Sequence, residues 1–226
     1  AELERRAHTY RAQTHLLVDY YRIRQRAAYP LPIRSITSPG FAIRGFDGIY
    51  PWSIWMSWAL EERIFALGYA ADLLDDKMAR ETAHRDLVAL CLWPSYLHDE
   101  RPQLVYAHAI RTIWCAARCW TWVDNELRAT LIAALHRAVD EFMPHSERLH
   151  DAFADSDQLL QAPGRHSYIH NIQLIATLAA AFAARLTNHP SSGVLHRRAI
   201  MLVRTLLALR EHGVTEAVSY DGYVES

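Results

Sequence analysis

The densest collection of side chains able to do chemistry lies at residues 164–173, Gly-Arg-His-Ser-Tyr-Ile-His-Asn-Ile-Gln. Arg165, His166, Tyr168, His170, Asn171 and Gln173 stand together at the mouth of an alanine-rich stretch with little other polar character. A histidine or tyrosine can take a proton, and an amide or guanidinium can neutralise a carboxylate, the guanidinium bidentately. Either such a set faces water and itself, or it faces a substrate. The plainer use of the same groups is to satisfy free amides at a helix start. His166 and His170 are four apart, a spacing that can bind metal. With no third ligand placed by the sequence, no metal or cofactor is expected in this chain.

Helices must position these groups. Residues 2–28 carry apolar and aromatic positions (Leu3, Ala7, Tyr10, Leu17, Tyr20, Tyr21, Ile23) at helical spacing, and an irregular connector with turn signals at Ser38-Pro39-Gly40 and Asp47-Gly48 fills residues 29–50. Pro51 opens a helix with Trp52, Trp55 and Trp58 on one face and Glu61-Glu62-Arg63 in its middle. Asp75-Asp76 ends it, and a second helix over 77–93 stops at Pro94. A second pair is predicted at 103–122 and 127–142, capped by Asp124-Asn125-Glu126 and broken by Pro144. After a polar connector at 145–163, a third pair spans 167–186 and 194–211. Three helical hairpins at a period of about 50 residues predict an all-α array. Its aromatic content favours an (α/α) toroid with a central cleft over an open solenoid. Trp52 and Trp55 are candidate sugar platforms in that cleft, with core packing as their other use.

Composition excludes some classes of function. The 226 residues are 51% hydrophobic and 22% charged with a formal charge of -1, which predicts a folded soluble protein and gives no case for nucleic acid. No run reaches the roughly 18 apolar residues of a membrane span, so no membrane partner is expected. Cys91, Cys115 and Cys119 are read as packed thiols. The first residues form no leader, so the protein is periplasmic or secreted if one was removed, and otherwise cytoplasmic.

Three motifs together resemble the heparinase II/III-like polysaccharide lyases. They are Trp52, Trp55 and Trp58 with Leu60-Glu61-Glu62-Arg63-Ile64; His170-Asn171-Ile172; and Tyr220-Asp221-Gly222-Tyr223-Val224-Glu225-Ser226. The likeness covers roughly residues 50–226 and implies an incomplete toroid; residues 1–226 are read as a single toroid domain, a fragment of a longer chain with a C-terminal β-sandwich. Any structural metal would belong to that further domain. It implies β-elimination on an acidic, uronic-acid-containing polysaccharide, with His170, Asn171 and Tyr223 catalytic. Arg165, His166, Tyr168, Gln173, Trp52, Trp55, Tyr220 and Glu225 would bind substrate. In the family the asparagine usually precedes the histidine; here the order is His170-Asn171. The alternatives are a non-catalytic helical-repeat module that binds a glycan or protein, and a glycoside hydrolase on the same toroid, which needs two opposed carboxylates.

Overall fold

Stop signals and tertiary partners together set where each helix ends. The computed structural model describes residues 1–12, 52–97, 102–153 and 171–211. These form α1 (Glu2–Ala12), α2 (Trp52–Leu73), α3 (Lys77–Cys91), α4 (Pro102–Cys119), α5 (Asn125–Phe153), α6 (Asn171–Leu186) and α7 (Ser192–Glu211). The chain is all-helical among the described residues, and none of these helices is long and apolar enough to cross a membrane. The expected first helix is seen as far as Ala12; its remainder and the 29–50 connector lie outside the described residues.

The described residues divide into two units, 1–135 and 136–226, with the boundary inside α5. In the first unit α2 is the hub, packing against α1, α3 and α4. Its apolar residues are spread around the whole circumference, as a helix surrounded by neighbours requires. The turn from α2 to α3 works as the sequence predicts. Asp75 takes the left-handed conformation at φ 51°, and Asp76 caps α3 by accepting the Ala79 amide at 3.0 Å. Arg11 of α1 then binds both Asp76 oxygens, at 3.0 and 2.8 Å.

One interaction ties three helices at depth. Arg63 of α2 donates through Nε to Asp86 of α3 at 2.6 Å and through Nη1 to the Tyr10 carbonyl of α1 at 2.8 Å. Both charged side chains are only 1% exposed.

Two expected helix ends move. The helix predicted over 103–122 ends at Cys119, because the next residues find partners that a helical backbone would deny them. Thr121 donates its amide and its hydroxyl to Asp72, both at 2.7 Å, and Trp122 Nε1 donates to the Gly68 carbonyl at 3.0 Å. The Ala117 carbonyl, left without its helical donor, accepts from Arg128 Nη1. The buried Trp120 ring lies against Gly68 and stacks on Trp122 with centroids 5.5 Å apart. Cys91 and Cys115 are buried as expected, whereas Cys119, the last residue of α4, is exposed.

The second correction concerns Pro144, which does not break the chain: α5 runs through it to Phe153. Pro144 is exposed, whereas Phe142 and Ser146 on either side of it are buried, and Arg198 of α7 donates to Ser146 Oγ at 3.0 Å. Packing on both flanks holds the helix against a local cost of about 3 kcal/mol. Residues 145–153, expected as connector, are therefore helical. In the same unit α6 packs on α7 through a row of small buried residues, Ala176, Ala180, Ala183 and Ala184, against Leu195, Ala199 and Leu202. A left-handed Asn188 (φ 52°) ends α6, with His189 N–H returning to the Ala184 carbonyl at 2.8 Å and Asn188 N–H to Arg185 at 3.4 Å.

Two stability measurements test this account. A Cβ on Gly68 would run into the Trp120 indole, whereas one on Gly193 meets only Arg197 Nη1 at 3.5 Å. Gly68→Ala should lower unfolding stability by about 1 to 3 kcal/mol, and Gly193→Ala should leave it unchanged or slightly raised; equal effects in denaturant titrations would remove the packing argument. Asp86→Ala leaves a guanidinium buried without its counter-ion and should cost about 3 to 5 kcal/mol, read as a shift in urea midpoint.

Candidate functional site

The alanine-rich helix is described from Asn171, inside the predicted polar cluster, and Gln173 lies two residues further on; residues 167–170 of the expected helix lie outside the described residues. Gln173 is 9% exposed, and its Oε1 finds no hydrogen-bond partner among the described residues. A buried amide oxygen left unpaired carries a desolvation cost that a ligand hydroxyl would relieve. The Gln173 carbonyl is used in the helix, accepting from Thr177 Oγ1 at 2.8 Å.

Most of the other predicted site residues lie outside the described residues: Arg165, His166, Tyr168, His170, Tyr220, Tyr223 and Glu225. Trp52 and Trp55 fall in the first turn of α2, as the sequence predicts.

The structure adds a polar centre in the first unit that sequence spacing did not assemble. Glu61 of α2 is 7% exposed and meets two residues of α4. His108 Nδ1 stands 2.6 Å from Glu61 Oε2, while Arg111 donates Nε to Oε1 at 2.5 Å and Nη2 to Oε2 at 2.6 Å. Burial pushes the Glu61 carboxyl up. The hydrogen bonds from His108 and Arg111, with their charges, outweigh it and hold the group below the usual carboxylate range. Glu61 is thus an anion clamped by two basic groups, poorly suited to the proton-donating role that a glycosidase needs. The signal in the sequence was the Glu61-Glu62-Arg63 run inside a largely apolar helix; the partners of Glu61, 47 and 50 residues on, had no local signature.

Nearby, Tyr69 and Cys115 are in hydrogen-bond contact at 3.6 Å. Burial pushes the Cys115 thiol up to about 11, which keeps it protonated and a poor nucleophile. In the second unit, His136, Asp140 and His189 bring nitrogen and oxygen ligand atoms within 4.8 Å of one another. This grouping was also missed, although the four-residue step from His136 to Asp140 on a helix was visible. Comparison with known proteins adds no relative: no family model, curated protein or solved structure matches the chain at a significant level.

The Glu61 clamp has a pH signature. Because its folded pKa lies below the unfolded value of about 4.3, its stabilisation is complete above that value and is lost as pH falls through the folded one. Glu61→Gln should therefore destabilise the protein at pH 7 by about 1 to 3 kcal/mol. The gap between wild type and variant should narrow on acidification, and a gap in urea midpoint that is constant down to pH 3 contradicts the assignment.

Proposed function

We propose that the protein is a polysaccharide lyase that cleaves a uronic-acid-containing polysaccharide by β-elimination. The observation that supports the reading is Gln173, a buried amide whose oxygen has no partner among the described residues, two positions after the His170-Asn171 motif. The likeness of that motif, of the Trp52 to Ile64 helix and of residues 220–226 to heparinase II/III-like lyases supports it, as does the all-helical character of the described residues. In this reading the helical hairpins build an incomplete toroid whose cleft holds the sugar chain.

The chemistry divides among this chain's own residues. Asn171 neutralises the uronate carboxylate and so makes the C5 proton more acidic. His170 or Tyr223 takes that proton, the C4–O bond breaks as the C4–C5 double bond forms, and the other delivers a proton to the departing glycosidic oxygen. Arg165 grips a carboxylate or sulfate on a neighbouring sugar, and Gln173 orients the reacting unit through a hydroxyl. No cofactor is required by this scheme.

The product carries a conjugated double bond that absorbs in the ultraviolet. Incubation with alginate, heparan sulfate and hyaluronan should raise that absorbance with one of them, and His170→Ala should abolish the rise. Gln173→Ala should lower kcat/KM by about 2- to 10-fold, the worth of one neutral hydrogen bond. Folded protein that leaves all three polymers intact rules the lyase out.

A further inference from the structure

We propose that His136, Asp140 and His189 form a binding site for one divalent transition-metal ion of the zinc class, independent of the lyase reading. His136 and Asp140 lie one turn apart on α5, and His189 sits in the connector between α6 and α7. The imidazole rings are 4.4 Å apart between centroids. Asp140 is shared, with Oδ1 3.0 Å from His189 Nε2 and Oδ2 3.3 Å from His136 Nδ1. Two imidazoles and one carboxylate are the donor set that zinc and its neighbours take in three-ligand sites, with water in the open position. Calcium and magnesium prefer all-oxygen surroundings.

The three groups differ in exposure in a way that fits capture of an ion. His189 is 5% exposed and held by its backbone: its own amide bonds Ala184, Asn188 before it is left-handed, and Pro190 follows. His136 and Asp140 are 48% and 63% exposed, so they can adjust by rotamer changes and leave a coordination position open to water. The Ser191 amide donates to His189 Nδ1 at 3.0 Å, so the ring carries its proton on Nε2, facing Asp140. Coordination through Nε2 moves that proton to Nδ1 and turns the half-buried Ser191 amide to water, with no net proton lost from the ring. One hydrogen bond on each side of the imidazole is thereby exchanged for metal coordination. Such an ion would staple α5 to the α6–α7 connector.

The test uses the full chain, freed of metal with a chelator and titrated calorimetrically with Zn²⁺, and in parallel with Co²⁺ followed by visible absorption. One equivalent of Zn²⁺ should bind and raise the melting temperature, Co²⁺ should develop the visible bands of a low-coordinate nitrogen and oxygen site, and Mg²⁺ should bind far more weakly. Since loss even of an outer partner of a metal ligand costs about 10- to 100-fold in affinity, His136→Ala combined with Asp140→Asn should weaken Zn²⁺ binding by at least that factor. Both residues are exposed, so helical circular dichroism of this variant should be unchanged, which avoids dependence on the buried His189. Folded wild type that takes up no Zn²⁺ overturns the proposal. Uptake undiminished in the double variant, or Mg²⁺ bound as tightly as Zn²⁺, overturns it equally.

Discussion

A guanidinium removed from water must be neutralised where it sits, and Arg63 meets that demand by drawing three helices together. Asp86 supplies the charge from α3 and the Tyr10 carbonyl supplies a dipole from α1, at 2.6 and 2.8 Å. Such a pair adds little net stability over well-packed apolar residues of the same size, because desolvation of both ions offsets their attraction. It does make wrong arrangements costly: any register of α1, α2 and α3 that separates Arg63 from Asp86 leaves a bare charge in an apolar interior. The surrounding core, with Ala7, Tyr10, Leu67, Ala70, Ala79 and Ala83 packed together, is permissive by comparison.

Helical geometry explains how three consecutive charged residues serve three purposes. Successive positions on an α-helix turn by about 100°, so Glu61, Glu62 and Arg63 fan out around α2. Glu61 faces α4 and is clamped by His108 and Arg111, Glu62 meets Arg6 of α1 at 3.0 Å, and Arg63 reaches α3. A helix that is apolar around most of its circumference can thus carry three charges, provided each neighbour offers the opposite sign at the matching height. The same helix approaches the α4–α5 connector closely at Gly68, where the absent side chain makes room for Trp120.

The second unit is organised by small side chains rather than by ion pairs. Alanines along α6 allow it to lie close to α7, and the left-handed Asn188 turns the chain sharply between them. That turn buries His189 beside Asp140, and toward the other end of α6 Gln173 is already buried. One short helix therefore carries polar groups of chemical interest at both ends, separated by a face with almost no polar atoms.

The sequence by itself determined what is local. Helical periodicity, the Asp76 and Asp124 caps and the stop after Leu186 all depend on residues within a few positions of one another. The tertiary structure decided what depends on distant partners. Pro144 stays inside α5 because Phe142 and Ser146 are held on either side of it, and α4 stops at Cys119 because Asp72, about fifty residues earlier in the chain, offers Thr121 a better acceptor. Glu61 stood in a mid-helix run of three charges with no partner named until folding set His108 and Arg111 against it. His136 and Asp140 were one turn apart in plain view, but their third partner is brought in by the fold. Caps and periodicity are short-range and can be read from neighbouring residues. The pairing of buried charges is set by which helices touch, and that is fixed only when the chain has packed.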